Sequence, residues 1–566
     1  MIILGISCYY HDSAACIIKD GKIIAAAAEE RFTRIKHDNS FPKESINFCL
    51  DSLKISANEV DVVTFYEKPL IKFERLISQH LENFPKSYSQ FTKYIGPWFN
   101  SRLQIKKTLE EEVNYFGKVT YVDHHLSHSA SSYFLSPFNK SVVINIDGVG
   151  EWATTTVGIA NKGEIKIDKE IHFPHSIGLL YSTLTTYLGF SANNSEYKVM
   201  GLAAYGNPKT YKKHFEKIIK LFPDGSFKLD MDYFDFDWSG HMPSKKMIKL
   251  FGHEVRERDS KAYQYHKDIA AALQKRTEEA VFNIFNAAYK KYKIDNICFA
   301  GGVALNSVLN GKILANTSFK KIFIPPDPSD AGAAMGAALY INNKLSNKKI
   351  NHKEFTPYLG PEYKWYQIKN EIEKLGLKYK YYKNNKQLSD VISQYIIDEK
   401  VIGWFQGKME WGPRALGNRS ILASAATTGM RDNINAKVKK REMFRPFAPV
   451  ILEEKTNEYF KTDKYLSAST KWMLMVYPFK NKRKKDVPAV VHVDGSGRLE
   501  TLSKDDNSKY YDLINSYYKK SKIPIIINTS FNIRGEPIVC SPKDALNCFL
   551  ETDIDFIVLD NFVVSK

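Results

Sequence analysis

The chain opens with IILGISCYYHDSAACIIKDGKIIAAAAEE, residues 2–30, and a related pattern returns as SVVINIDGVGEWATTTVGIANKGEIK, residues 141–166. In each, an apolar run of strand length meets a polar turn, a second run, a second turn and a third run. In the first copy the strands are IILGIS, SAACIIK and KIIAAAAEE. The first turn holds His11, Asp12 and Ser13, and Asp20-Gly21 makes the second. Two strand–turn–strand units in one chain predict a duplicated α/β architecture with a cleft between the halves. Each first turn would present backbone N–H groups and a carboxylate, Asp12 or Asp147, towards that cleft.

That layout is the one found in actin-like ATPase folds. Between the two copies lies DHHLSHSASSYF, residues 123–134. His124 and His128 stand four apart among small residues that suit a helix, so both imidazoles share one face and can reach one metal ion. No Glu follows the first histidine, so the metalloprotease pattern with its general-base Glu is absent. The candidate third ligand is Asp330, in PPDPSDAGAAMGAAL, where a carboxylate precedes a run of small residues that reads as a helix start. Two His and one carboxylate leave coordination positions open for a substrate. Further on, NICFAGGVALNSVLNGKI reads as strand, Gly301-Gly302 turn and helix, a place that suits a phosphate or ribose.

At 566 residues the chain has room for two to four domains. The net charge of +18 fits nucleic acid, an anionic surface or phosphorylated small molecules, and equally a set of solvated lysines. Six cysteines are scattered without a CxxC pair, several in apolar runs, which points to buried thiols and a reducing compartment. The first residues lack a basic start and a long apolar core, so they read as a strand and not as a signal peptide. No apolar run approaches the roughly 20 residues of a membrane span.

Composition turns polar near NNKLSNKKINHKEFTPYLGPEY, and the expected division is a first domain over 1–350, a linker over 351–365 and a second domain over 366–566. The second domain carries Arg414 and Arg419 in EWGPRALGNRS, Lys439 and Arg441 in VKKRE, Arg445 in MFRPFAP, Arg498 in VDGSGRLE and Arg534 in NTSFNIRGEP. These cations sit beside Gly, Pro and apolar residues, not on amphipathic charged faces. A guanidinium that is hard to solvate calls for an anion, and its planar fork suits phosphate or carboxylate. The alternative is a set of structural ion pairs to Glu410, Glu442 and Glu536. The run Lys480–Asp486 reads as an exposed loop.

Taken together, GISCYYHDSAA, EERFTRIKHD, DHHLSHSASSYF, DGVGEWATT, EYKVMGLAAYG, FAGGVALNSVLNG and SDAGAAMGAAL resemble the N-terminal domain of the nodulation- and tobramycin-type O-carbamoyltransferases. EWGPRALGNRSIL, VKKREMFRPFAP, HVDGSGRLETL and NTSFNIRGEPIV resemble their C-terminal domain. The match is colinear over nearly the whole chain. It implies an actin-like (ASKHA) N-terminal domain of the Kae type and a YrdC-like α/β C-terminal domain. It implies that carbamoyl phosphate and ATP, with Mg, form carbamoyl adenylate in the C-terminal domain. The carbamoyl group then passes to a hydroxyl of a sugar or specialised metabolite in the N-terminal domain.

By position, the resemblance puts an Fe(II) site on His124, His128 and Asp330, and transfer-site residues on His11 and Asp12. It puts the nucleotide cleft on Asp147, Glu196, Lys198, Gly301, Gly302 and Asn306. It puts carbamoyl phosphate on Arg414, Lys439, Arg445, Arg498, Asn528 and Arg534. His125 lies on another helical face and is left out of the ligands. Departures from the family pattern are Ile35 in TRIKHD and Lys408 in GKMEWG, where basic residue and Arg are frequent; neither removes a proposed ligand. Acceptor loops are expected within residues 65–115 and 205–260, where aromatics such as those of YFDFDW suit a sugar face. The resemblance further implies a cytoplasmic homodimer. The competing readings are a tRNA-modifying enzyme of the threonylcarbamoyl type, which the positive charge would suit, and a non-enzymatic nucleotide sensor.

Overall fold

The computed structural model describes residues 1–239, 241–346 and 351–566. The chain divides into two compact units. Unit 1 comprises Met1–Glu29 and Asn39–Phe355, and unit 2 comprises Glu30–Asp38 and Thr356–Lys566.

Unit 1 contains the same sheet twice. In the first sheet β1 (Ile2–Ser7), β2 (Ala14–Lys19) and β3 (Lys22–Ala28) form an antiparallel meander, and β4 (Val62–Phe65) and β5 (Lys118–Tyr121) continue it in parallel, in the order β3-β2-β1-β4-β5. In the second, β6 (Lys140–Ile146), β7 (Ala153–Asn161) and β8 (Glu164–His172) make the meander. After a separate hairpin of β9 (Ile219–Leu221) and β10 (Phe227–Leu229), β11 (Asn296–Ala300) and β12 (Lys321–Phe323) complete the order β12-β11-β6-β7-β8. The first, second and third strands of one sheet map onto those of the other, as do the two parallel strands. This is the duplicated actin-like arrangement. It follows from the paired apolar runs, because a strand buried on both faces tolerates no polar alternation.

Two helices bind the halves of unit 1 together at the place that matters. Helix His124–Leu135 packs against helix Asp330–Leu345. The first carries four serines and one alanine and the second five alanines and two glycines, and a Cβ added at Gly336 would run into the backbone oxygen of Ser127. The small-residue run is therefore a close-packing device, and it brings Asp330 to the start of the histidine helix. Helix Asp330–Leu345 also runs through NNKL, which the composition change had suggested was linker. Residues Asn347–Ile350 of that polar stretch lie outside the described residues. The next helix, Trp365–Lys374, begins at the end of the expected linker.

Unit 2 is one nine-stranded sheet. Its strands are β13 (Lys378–Tyr381), β14 (Ile402–Phe405), β15 (Arg419–Ser424), β16 (Ala448–Leu452), β17 (Met475–Pro478), β18 (Ser496–Leu502), β19 (Ile525–Ser530), β20 (Phe556–Leu559) and β21 (Phe562–Ser565). Their order is β13-β21-β20-β14-β15-β19-β16-β18-β17. Helices Asn385–Ile397 and Ser508–Ser521 cover one face, where Leu388, Ile392, Leu513 and Tyr517 pack on Trp404, Leu422, Val450, Leu502 and Ile526. Lys480–Asp486, expected as an exposed loop, holds a short 3-10 turn over Asn481–Asp486 with no buried residue.

The nine residues Glu30–Asp38 belong to unit 2. They stand in the EERFTRIKHD motif, which the resemblance assigned to the N-terminal domain. The Arg34 guanidinium donates to the carbonyls of Ile538 and Pro537 at 2.7 and 2.9 Å, and Arg31 donates to Gly412 O at 3.1 Å. A motif's place in the sequence does not record what its arginines reach.

Candidate functional site

The strongest constellation in unit 1 is buried. His124, His128, Asp147 and Asp330 each offer one atom, and those atoms lie within 4.8 Å of one another. His124 opens its helix and His128 stands one turn further on, Asp147 follows the end of β6, and Asp330 opens the partner helix. His124 Nε2 is 3.1 Å from His128 Nε2 and 2.9 Å from Asp147 Oδ2. His128 Nε2 is 3.6 Å from Asp147 Oδ2 and 3.5 Å from Asp330 Oδ1, and His124 Nε2 is 3.7 Å from the latter.

Those separations fit a metal. With bonds of about 2.1 Å, two ligands at right angles stand about 3.0 Å apart, and at the tetrahedral angle about 3.4 Å. Both Nδ1 atoms and Asp330 Oδ2 are buried without a hydrogen-bond partner, so the ring nitrogens that converge are the Nε2 pair. Two imidazoles and two carboxylates suit a first-row divalent ion. Without a cation the cluster holds itself together by charge. Burial disfavours the imidazolium of His128, but hydrogen bonds to Asp147 and Asp330 outweigh it and raise its pKa to about 9. Burial would likewise raise the Asp147 carboxyl, and its bonds to His124 and His128 instead hold it well below the usual range. A bound cation would take the place of those protons.

The resemblance puts Asp147 in the nucleotide cleft. It faces both ways: Oδ2 meets the histidines, and Oδ1 accepts from Gly302 N at 2.9 Å. Gly301 adopts φ +91°, and a Cβ there would press on the backbone of Ile146, so this turn needs glycine. Asn306 caps the next helix, its Oδ1 accepting from Leu309 N, and its Nδ2 donates to Gln274 Oε1 at 2.9 Å. Glu196 accepts from Ser182 Oγ, Asn193 N and Ser195 N, closing its own turn. The Lys198 ammonium lies 5.5 Å from the centre of the Phe190 ring. Neither belongs to the four-ligand cluster. His125 turns to Thr156 Oγ1, 3.2 Å away.

His11 and Asp12 sit in the β1–β2 turn, with His11 Nδ1 3.4 Å from Asp12 Oδ2. Tyr9 and Asp12 both have positive φ, 73° and 54°, which marks a backbone held by its surroundings. Burial works against a charged His11, but the Asp12 carboxylate, reinforced by Asp330 and Asp147, raises its pKa to about 10.

Two carboxylates around the histidines had no signal in the sequence. Glu151 accepts from His124 N and from Lys68 N, pinning the helix start. Glu67 Oε2 lies 3.8 Å from His124 Nδ1 and is paired with buried Lys72 at 2.5 Å. Glu67 lies in FYEKP and Glu151 in DGVGEWATT, but only the fold aims these carboxylates. The expected acceptor segments meet in unit 1, where Gln79 Nε2 donates to Asp237 O at 2.6 Å.

Unit 2 gathers cations. Arg498 is half-buried on β18, with its Nε buried. Burial first, then the charges of Arg414, Arg441 and Arg445, push its pKa well below that of an ordinary arginine. Four guanidiniums thus share one neighbourhood, and the buried Arg498 Nε has no partner. Arg441, named among the motif cations but not among the expected ligands, belongs to this group. Lys439 is also buried, and its ammonium donates to Ser530 O, Asn532 O and Asn532 Oδ1, which clamps the loop after β19. Lys36, from the Glu30–Asp38 segment, is among the charges that depress Lys439. Arg534 is 41% exposed and stands 3.9 Å from Glu442, as an ion-pair reading would have it.

Arg419 departs from its motif companions. It is fully buried, lies 3.6 Å from the centre of the Phe405 ring, and donates to the carbonyls of Gln406, Gly407, Pro361 and Cys540. It holds strands and loops together and offers no fork to an anion. Glu410 organises the loop between them: its Oε1 accepts from the backbone of Leu416, Asn418 and Arg419 at 2.7, 2.8 and 3.0 Å. Asn528 on β19 is fully buried, and its Nδ2 donates to Glu500 Oε2 at 2.7 Å and Ala415 O at 3.1 Å. All six cysteines are buried and free. No helix among the described residues is long and apolar enough to cross a membrane.

Residues 2–339 match the family model described as carbamoyltransferase N-terminus, and residues 393–566 the one described as carbamoyltransferase C-terminus. The chain is 41% identical to the uncharacterized protein sll1178 of Synechocystis sp., over 100% of this chain and 96% of that protein. It is 36% identical to the nodulation protein NolNO of Sinorhizobium fredii, over 99% of this chain and 79% of that one. It is 33% identical to the uncharacterized protein MJ1051 of Methanocaldococcus jannaschii over the full length of both. Among solved structures, full-length HypF in its phosphate- and nucleotide-bound form aligns over 62% of this chain and 56% of its own, at 14% identity and a TM-score of 0.33.

Proposed function

Since the chain belongs to the carbamoyltransferase family, whose two models span residues 2–339 and 393–566, we propose that it is an ATP-dependent O-carbamoyltransferase acting in two steps. In unit 2, water cleaves carbamoyl phosphate to carbamate and phosphate. A carbamate oxygen then attacks the α-phosphorus of ATP, and the bond to pyrophosphate breaks. In unit 1, the hydroxyl of a small-molecule acceptor attacks the carbamoyl carbon of the adenylate, its proton is taken up, and AMP leaves.

The observation that carries this reading is the half-buried arginine cluster. Arg498 with Arg414, Arg441 and Arg445 is a concentration of like charge that Glu442, 3.6 Å from Arg445, and Glu500 offset only in part, and the multivalent carbamoyl phosphate and ATP phosphates suit it. In unit 1, His124, His128, Asp147 and Asp330 would hold a divalent metal, Fe(II) by family resemblance, which when bound would offset negative charge on the departing nucleotide phosphate. Gly301 and Gly302 present a backbone turn to the nucleotide, and Asp147 fixes that turn. His11, oriented by Asp12, is the group that takes the acceptor's proton. Its raised pKa comes partly from Asp147 and Asp330, so a cation that offsets those carboxylates lowers it towards the range a base requires. The same reading takes the protein to be a cytoplasmic homodimer, which sedimentation at micromolar concentration tests.

The test separates the steps. Arg498→Ala should abolish pyrophosphate release from ATP in the presence of carbamoyl phosphate. His11→Asn should keep that release and lose AMP formation with acceptor. Pyrophosphate release by Arg498→Ala at the wild-type rate would overturn the assignment of unit 2.

A further inference from the structure

Helix Pro69–Glu82 of unit 1 is turned inside out. Lys72, Arg75 and Gln79 share one face of it, three and four residues apart, and that face points inward. Lys72 Nζ pairs with Glu67 Oε2 at 2.5 Å, Arg75 Nε donates to Glu151 O at 2.5 Å, and Gln79 Nε2 donates to Asp237 O at 2.6 Å. The opposite face carries Leu70, Phe73, Ile77 and Leu81, and Leu70 and Leu81 are 73% and 72% exposed. A helix on a globular surface ordinarily shows the reverse, with its apolar stripe inward and its charges outward. Here the polar face makes the inner contacts, so the apolar face is left to meet something other than the core.

The next segment extends that surface. Helix Tyr88–Pro97 and the turn Trp98–Arg102 pack back on the first helix, with the Phe73 ring 5.5 Å from Trp98 and 5.4 Å from Phe99, and Phe91 5.3 Å from His80. Trp98 is buried, whereas Phe84, Tyr88 and Phe99 are each more than half exposed. From Asn83 to Lys107 the chain holds six aromatic residues and five cations, Lys86, Lys93, Arg102, Lys106 and Lys107, and no carboxylate. Lys107 pairs with Glu111 at 3.6 Å, and Lys86 acts on the nearby carboxylates of Asp235 and Asp237, which leaves Lys93, Arg102 and Lys106 for an outside anion. Glu74 is the one carboxylate on the outward stripe of the first helix. Exposed apolar side chains, aromatic rings and lysines on one surface match an anionic lipid leaflet, where the first enter the acyl boundary, the rings sit at headgroup level and the cations meet phosphate. A second copy of the chain fits less well. A two-fold contact lays a patch on itself, and here it would bring Lys93, Arg102 and Lys106 of both copies together.

We propose that this face of unit 1, formed by Leu70, Leu81, Phe84, Tyr88 and Phe99 and flanked by Lys93, Arg102 and Lys106, docks on the surface of a bilayer that contains anionic lipid. The two helices lie on the leaflet and do not cross it. Through Arg75 the first helix also holds the backbone of Glu151, whose carboxylate pins the start of the histidine helix. The docking face and the contacts that support the unit-1 site are thus opposite sides of one helix.

The experiment is flotation of the full chain with vesicles of phosphatidylcholine alone and of equal parts phosphatidylcholine and phosphatidylglycerol. At about fivefold for each cation near an anionic surface, Lys93, Arg102 and Lys106 should give wild type roughly a hundredfold preference for the anionic vesicles, weakened by added salt. A Leu70→Ser, Leu81→Ser, Phe84→Ser triple variant should bind the anionic vesicles at least about tenfold more weakly. Its thermal transition should stay that of wild type, because all three side chains already face solvent. Lys93→Glu with Lys106→Glu should abolish the preference for anionic vesicles, which tests the surface without touching the apolar residues. A wild type that floats with neither kind of vesicle overturns the proposal, and so does a triple variant that floats as well as wild type. Sedimentation of wild type as a dimer and of the triple variant as a monomer, with no flotation of either, would give the face to a second copy and likewise overturn it.

Discussion

Replacing Glu410 with alanine removes one oxygen that serves three backbone donors. Glu410 Oε1 accepts from Leu416, Asn418 and Arg419, all buried, at 2.7, 2.8 and 3.0 Å. The loop they belong to carries Arg414 and leads into β15. An unmet buried donor costs about 1–3 kcal/mol, so three cost about 3–9 kcal/mol. Whole domains are stable by only about 5–15 kcal/mol. At about 2–4 °C per kcal/mol for a unit of this size, the thermal transition should fall by at least about 6 °C. Glu410→Gln keeps a carbonyl acceptor in place and loses only the charge, so its loss should be about half as large. Differential scanning calorimetry of the three proteins measures both, and carbamoyl-phosphate-dependent pyrophosphate release reports on Arg414. A Glu410→Ala protein that melts within about 2 °C of wild type would refute the reasoning that this carboxylate organises the loop.

Further outcomes follow from the same geometry. His124→Ala and His128→Ala should each lose most of the bound metal found in wild type, by elemental analysis of protein purified with the metal supplied; unchanged metal content in both would remove the ligand assignment. Arg419→Lys should lose two or more carbonyl bonds and the stack on Phe405, a cost of about 3 kcal/mol or more in urea unfolding, with phosphate affinity retained. Equal stability would mean the buried guanidinium is not structural. In chelator-treated protein, the pKa of His11 raised to about 10 contributes stability that is complete below about 6.5 and is lost as pH rises towards 10, because the folded state holds the proton longer. Denaturant midpoints should therefore fall over that window in wild type and fall less in His11→Asn; parallel profiles would contradict the pairing with Asp12.

The duplicated sheets of unit 1 are legible because their first two strands are apolar runs joined by polar turns such as His-Asp-Ser and Asp-Gly, so local pattern and burial agree there, while β8 alternates as an edge strand. His124, His128 and Asp330 are legible for a similar reason: helical spacing and a helix start determine where those side chains point. Asp147 was placed in the cleft but not among the ligands, because its aim depends on the turn after β6 and on Gly302. Arg414 and Arg419 share a motif, and nothing in its eleven residues tells them apart. Strand β15 begins at Arg419 and draws it inward onto Phe405, while Arg414 stays in the loop that Glu410 holds. Glu500 is silent in HVDGSGRLETL, since a carboxylate in a strand reads as a solvated residue until the sheet register sets it beside Asn528. The excursion of Glu30–Asp38 into unit 2 is invisible for a different cause: colinear motifs carry no record of long-range contact.

The most direct test of the account is to incubate the purified chain with carbon-labelled carbamoyl phosphate and ATP, without acceptor, and to count products. The account predicts one pyrophosphate for each phosphate released, with label appearing in a carbamoyl nucleotide that Arg498→Ala does not form and His11→Asn does. Release of phosphate with no pyrophosphate and no labelled nucleotide would contradict it.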